Sequence, residues 1–158
     1  MKGGHIYMVQ PEQATPTGPF LATAVICERV LQEKDGVLSV IRIIDQLIHT
    51  IVAPSMPEEL PKVTYNLTFL LAFKSGRARG RQNVSLMIED PSGMRNRVFG
   101  QSIQLEGENR GANLIIQSNI TFGLEGIYWF DVLLEEKLVT RMPFKMMYQL
   151  VSASAGQT

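Results

Sequence analysis

From residue 20 onward the chain alternates apolar and polar residues with a period of two, and short turn motifs interrupt the pattern at regular intervals. The alternation is cleanest late in the sequence. Leu114, Ile116, Ser118, Ile120 and Phe122 fall on one face of an extended segment, and Gln117, Asn119 and Thr121 on the other. Tyr128, Phe130, Val132 and Leu134 form a second apolar set, and Leu138, Met142, Phe144, Met146, Tyr148 and Leu150 a third. No stretch carries a sustained helical stripe, and only Pro57-Glu58-Glu59-Leu60 suggests a single helical turn. The pattern predicts about eight strands, near 20–32, 37–48, 62–74, 82–89, 95–105, 112–122, 126–134 and 138–151.

The turns between these runs are specific. Asp90-Pro91-Ser92-Gly93 has an acceptor, a proline and a glycine in the order a type I turn requires. Gly107-Glu108-Asn109-Arg110-Gly111 and Gly123-Leu124-Glu125-Gly126 read as loops. Side-chain parity then fixes two registers, because a slip of one residue exchanges the faces of a strand. A three-residue loop Lys34-Asp35-Gly36 puts Gly36 where positive φ is needed. It sets Val30 against Val40, Glu28 against Arg42 and Ile26 against Ile44. Glu28 and Arg42 thus read as a cross-strand clamp. In the last hairpin a three-residue loop, Glu135-Glu136-Lys137, places Phe130 opposite Met142 and Asp131 opposite Arg141. Pro143 cannot donate to a ladder and marks an edge or a bulge. Regularly spaced short strands in 158 residues predict one all-β domain: an antiparallel β-sandwich of about eight strands, immunoglobulin-like or of a related Greek-key topology. The sandwich spans 19–151, between a mobile N-terminal arm (1–18) rich in Gly and Pro and a flexible tail (152–158).

Composition narrows the function classes. Fifteen basic residues balance fifteen acidic ones, so no strong nucleic-acid signal exists. The one cysteine, Cys27, excludes an intrachain disulfide and suits a reducing, cytoplasmic setting. The first ten residues lack the apolar core of a signal peptide, and no apolar run predicts a transmembrane segment. Three Asn-x-Ser/Thr triplets, at Asn66, Asn83 and Asn119, read as polar strand faces rather than glycan sites.

Pro19-Phe20-Leu21-Ala22, the hairpin Ile26 to Asp45, Glu89-Asp90-Pro91-Ser92-Gly93 and Gly126-Ile127-Tyr128-Trp129-Phe130 together resemble a bacterial family of small uncharacterised β proteins, over roughly residues 19–150. The resemblance implies a β-sandwich and a bacterial, cytoplasmic setting, and transfers no functional residue. Gly126-Ile127-Tyr128-Trp129-Phe130 also resembles an immunoglobulin-type strand with a corner tyrosine, with Phe130 where the cysteine would stand.

Catalytic constellations are absent from the pattern. His5 and His49 are the only histidines, no Gly-x-Ser-x-Gly elbow occurs, and Cys27 lies among apolar neighbours as an inert core thiol would. Cys and His are too few and too scattered for zinc, and turn chemistry accounts for Asp90 in the acidic pairs Glu89-Asp90 and Glu135-Glu136. The expectation is a non-enzyme without cofactor or metal. Two surfaces stand out. Lys74-Ser75-Gly76-Arg77-Ala78-Arg79-Gly80-Arg81 carries four positive charges in eight residues, and residues 74–110 hold seven basic against four acidic groups. Arginine forks suit carboxylate or phosphate groups, so Arg77, Arg79 and Arg81 are candidate contacts for an anionic partner. Trp129 would face outward with Ile127, Asp131 and Leu133, as an interface or a homo-oligomer contact would show. The first reading is a binding or assembly module for a protein partner. Alternatives are a small-ligand protein or enzyme with a pocket near Arg42, Asp45 and His49, and peripheral binding to anionic membrane through the arginine segment.

Overall fold

The computed structural model describes residues 17–153, so the predicted arm lies almost wholly outside the described residues. Seven strands follow in chain order: β1 (Phe20–Gln32), β2 (Leu38–Ile43), β3 (Gln46–Val52), β4 (Val63–Glu89), β5 (Arg95–Phe122), β6 (Gly126–Leu134) and β7 (Lys137–Val151). They form one sheet in the order β2-β1-β4-β6-β7-β3, with β5 paired to β4 along the other edge of β4. The protein is all-β, but two expectations fail. Among the described residues seven strands stand where about eight are predicted, and the sheet is mixed rather than antiparallel, because β3 runs parallel to β7 from Gln46↔Lys145 to Val52↔Val151.

The strand count differs for two physical reasons. The predicted strand 37–48 breaks at Ile44-Asp45. Arg42 has φ 52°; Ile44 N–H still donates to Ile26 on β1 (2.9 Å), while the Asp45 carbonyl accepts from Lys145 N–H on β7 (2.8 Å). The chain therefore leaves one end of the sheet and joins the other within two residues. Three Cα–Cα steps cannot exceed about 11 Å, so the two ends of the strand order lie side by side. In the opposite sense, the glycine-rich segments 74–81 and 107–111, predicted as loops, lie inside the long strands β4 and β5. Register shifts flank Gly76, and Gly76 (φ 57°), Gly107 (φ 88°) and Glu108 (φ 56°) take left-handed conformations. These are bulges in a continuous ribbon. Each strand changes its buried parity there: Leu67, Phe69, Leu71 and Phe73 give way to Val84 and Leu86 in β4, and Ile103 and Leu105 to Leu114 and Ile116 in β5. The ribbon bends while one face stays in the core.

Both halves of the ribbon share that core. Before the bend β4 pairs with β1 (Thr68–Lys74 against Cys27–Phe20); after it, with β6 (Val84–Glu89 against Leu134–Trp129). Phe69 of the first half meets Phe130 of β6 at 4.9 Å between ring centroids, and Phe122 meets Tyr128 at 4.9 Å and Phe144 at 5.7 Å. All four phenylalanines are fully buried, each worth about 1.5–3 kcal/mol of transfer free energy.

The parity registers hold. Val30 stands opposite Val40 and Arg29 opposite Ile41, with Gly36 at φ 84° closing the turn on the Glu33 carbonyl (2.9 Å). Phe130 stands opposite Met142 and Asp131 opposite Arg141, but the means differ from the predicted loop. The turn has two residues, Glu135 (φ 47°) and Glu136 (φ 64°), in the conformation of a primed hairpin turn. A bulge between Val132 and Leu133 restores the register. Its cost is Leu138, which it turns out of the apolar set to 55% exposure. Pro143 lies just before the stretch of β7 that pairs with β3, on the edge where its missing N–H is not needed.

Candidate interaction surface

Arg77, Arg79 and Arg81 occupy alternate positions of β4 and all three are exposed. Strand geometry spaces alternate residues about 7 Å apart, so the guanidinium groups form a row on the outer side of the ribbon at its bend. Across the ladder stand Glu106, opposite Arg79, and Gln104, opposite Arg81. Glu106 is engaged by Arg110 at 2.8 Å. Among the described residues none of the three arginines forms an ion pair. Arg79 lies over Gly107, where a Cβ would come within 2.9 Å of its guanidinium. The segment that reads as an arginine loop is thus part of strand β4, with a register shift between Gly76 and Arg79.

Trp129 lies on the outer face of β6, half-buried. The Arg141 guanidinium covers its ring at 4.8 Å, a cation–π contact. Around it the outer face is ionic rather than apolar. Asp131, 3% exposed, accepts hydrogen bonds from Arg95 (2.8 Å) and Arg141 (2.7 Å), and Glu89 lies 3.5 Å from both arginines. The hydrogen bond to Asp131 holds the Arg141 guanidinium protonated even more firmly than usual. Four interleaved charges, Glu89, Arg95, Asp131 and Arg141, thus lie beside Trp129. Sequence reasoning placed Asp131 against Arg141 without singling out the cluster. The missing signal was available: the Asp90 turn closes a hairpin that sets Glu89 opposite Arg95, beside Trp129 on the next strand.

Glu28 and Arg42 form the expected pair at 3.2 Å, with both side chains more than half exposed. Such a pair is worth at most about 1 kcal/mol. Arg42 and His49 have separate partners. Arg42 is held by Glu28, Asp45 is exposed, and His49 Nδ1 is 3.0 Å from the Tyr65 hydroxyl with its ring edge-on to Tyr148. Burial pushes the Tyr148 phenol up, and it donates to the Pro61 carbonyl at 2.8 Å. Two open depressions flank the β6–β7 turn: one of about 410 Å³ contains Arg97, Gln101, Ser102 and Glu135, the other of about 360 Å³ contains Arg95, Asp131, Leu138 and Arg141. Neither includes the Arg42, Asp45 and His49 trio. Cys27 is fully buried and burial pushes its thiol up. Among the described residues no three His, Cys, Asp or Glu side chains come together as a metal site would require, and no helix is long and apolar enough to cross a membrane. The glycan triplets lie on strand faces: Asn66 donates to Asn119 (3.0 Å) and Ser102 to Asn83 (2.8 Å).

A family model matches residues 22–147, from early β1 into β7. The chain belongs to a family of unknown function, DUF6941. The match takes in the bent ribbon, the arginine row and the Trp129 face alike. No curated protein matches the chain. Among solved structures, an alkylpurine DNA glycosylase of Pseudomonas fluorescens, AlkC, bound to DNA containing an abasic-site analog, is similar over 78% of this chain at 9% identity and a TM-score of 0.41. The similarity spans 30% of the glycosylase chain.

Proposed function

We propose that this DUF6941 chain is a non-catalytic binding module that docks an acidic protein surface on the outer face of the bent β4/β5 ribbon. The observation that carries this reading is the row of Arg77, Arg79 and Arg81, exposed at strand spacing on a rigid ladder. A rigid row loses little conformational freedom on binding, and arginine forks bind carboxylates in pairs. The setting is the bacterial cytoplasm, a reading supported by the lone, buried and unpaired Cys27. The scaffold is a β-sandwich made by one sheet folded on itself, supported by the meeting of β2 and β3 at Ile44-Asp45 and by the shared phenylalanine core.

The test is binding of a fluorescent poly-glutamate peptide by anisotropy at several salt concentrations. The expected result is an affinity that falls as salt rises, since exposed charges are screened beyond about 10 Å at 0.1 M. Alanine at Arg77, Arg79 and Arg81 together should weaken binding at least tenfold with an unchanged circular dichroism spectrum. Equal binding by the triple variant refutes the proposal. Sedimentation of the wild-type chain with phosphatidylserine vesicles, in the absence of peptide binding, would instead favour the membrane reading.

A further inference from the structure

The bent ribbon brings its own two ends together. One end is the start of β4 and the close of β5, with Lys62 and Gly123 just beyond the paired Val63 and Phe122. The other is the close of β4 and the start of β5, where Ile88 stands opposite Asn96 and the Asp90 turn joins the two strands. An open depression of about 310 Å³ lies between these ends, lined by residues of both and by Tyr128 of β6. It sits at the opposite end of the ribbon from the arginine row.

The floor of the depression is apolar. Tyr128 is buried and its ring meets Phe122 edge-on, while Ile88 packs against the core. Met94 and Leu124 are large apolar side chains left exposed at the rim. Two loops are pinned around it. The Tyr128 hydroxyl donates to the Leu124 carbonyl (3.0 Å) and accepts from the Leu124 N–H (3.1 Å). Gly126 packs so closely on Pro91 that a Cβ would come within 3.1 Å of the proline ring.

The polar groups of the depression carry opposite charges. The Lys62 stem passes over Gly123, its Cγ 3.4 Å from where a Cβ would stand, and brings an ammonium to the rim. Asp90 Oδ1 accepts from the Ser92 N–H (2.8 Å), the Ser92 hydroxyl (2.6 Å) and the Met94 N–H (3.0 Å). These bonds favour the ionised carboxyl, and all three fall on one oxygen, so Oδ2 can accept from a ligand. The Asn96 side chain adds an amide oxygen. A cation and an anion around one apolar floor suit a zwitterion with an apolar body. A fatty acid would leave Asp90 without a use, and a sugar would leave the apolar floor without one. The volume stands at the small end of ligand sites, below what a nucleotide needs.

We infer that this depression binds a free aliphatic α-amino acid of about leucine size. Lys62 takes its carboxylate, Asp90 and Asn96 take its ammonium, and its side chain lies on Ile88, Met94, Leu124 and Tyr128. The inference stands apart from the acidic-partner reading, because it uses none of Arg77, Arg79 and Arg81.

Methyl NMR of the 158-residue chain, titrated with L-leucine, tests it. The Ile88, Met94 and Leu124 methyl signals should shift and saturate by about 10 mM, a range that suits so small a ligand. Leucinamide, which lacks the carboxylate, and 4-methylpentanoate, which lacks the ammonium, should each bind at least about tenfold more weakly, the loss expected for one hydrogen-bonded charge. Lys62→Gln should lower the affinity for leucine to that of leucinamide. Leu124→Trp, which fills the depression from its rim, should abolish the shifts with an unchanged circular dichroism spectrum. The inference is overturned if leucine gives no saturable shift in the wild-type chain. It is overturned equally if leucinamide or 4-methylpentanoate binds that chain as tightly as leucine.

Discussion

The bend in the β4/β5 ribbon demands that Gly111 carry no side chain. A Cβ there would overlap the Phe73 carbonyl oxygen on the facing strand and come within 2.9 Å of the Phe73 carbonyl carbon and 3.2 Å of Lys74 Cα. Backbone cannot rotate aside as a side chain can, so Gly111→Ala must separate the strands at Lys74↔Gly111 and Phe73↔Ala112. Weakening two ladder hydrogen bonds costs about 1 kcal/mol each. Shifting Phe73, which is fully buried, adds roughly 1–3 kcal/mol of repacking strain. The expected loss is about 3–5 kcal/mol. Gly36→Ala is the control. Gly36 has positive φ but nothing within 4 Å of the place a methyl group would take, so its alanine variant should lose only the left-handed penalty of about 1–2 kcal/mol. Urea unfolding followed by circular dichroism measures both. For a chain of this size each kcal/mol shifts the melting temperature by about 2–4 °C, so a thermal scan separates the variants as well. If Gly111→Ala lies within about 1 kcal/mol of wild type, or below Gly36→Ala, the close approach at the bend is wrong.

Other outcomes follow from the same packing. Asp131→Asn removes the charge that two arginines share; with both guanidinium groups partly exposed, the loss should be about 1–3 kcal/mol, read from urea midpoints, and no loss would mean the cluster is ornamental. Trp129 is the only tryptophan, so Arg141→Ala, by uncovering its ring, should move the emission maximum to longer wavelength; an unchanged spectrum refutes the cation–π contact. Hydrogen bonds from Ser92 hold the Asp90 carboxyl below its ordinary value of 3.8. Its contribution to stability is therefore full above that pH and lost as pH falls through the lower folded value, so the stability gap between wild type and Asp90→Asn should close below about pH 3.8. A gap that widens as pH falls below 3.8 would contradict this. Cys27, buried with its thiol pushed up, should resist a thiol reagent until the chain unfolds; rapid labelling of the native protein would place it elsewhere.

Alternation and turn chemistry carried most of the fold. Residues such as Phe122, Tyr128 and Phe144 faced inward where their parity required, and glycine at the last loop position set two hairpins, at Gly36 and Gly93. What escaped was long-range. Gly76, Gly80, Gly107 and Gly111 are the residues a loop would have, and only the opposite strand shows that bulges lie at Gly76 and Gly107 while Gly80 and Gly111 sit in register within the ladder. Likewise nothing near Gln46 signals that its partner is Lys145, so the parallel pairing and the break at Asp45 were hidden. The arginine row was legible as residues but not as a rigid array, because rigidity came from the ladder behind it. The charge cluster at Asp131 was half legible, through parity with Arg141, and its other half depended on a neighbouring hairpin.

The parallel pairing of β3 with β7 has a kinetic meaning. Val84 meets Gln101 across a loop of about 17 residues, whereas Gln46 must find Lys145 about 100 residues away. Loop closure makes the second search dearer by roughly 1.6 kcal/mol before any contact repays it. The bent hairpin of β4 and β5 is thus the element able to form first, with β6 and β7 following by short turns. Strand β3 arrives last, onto an edge that already exists. It is also the piece whose detachment would break the fewest local connections, so refolding should end, and unfolding begin, at the seam where the sheet's two ends meet.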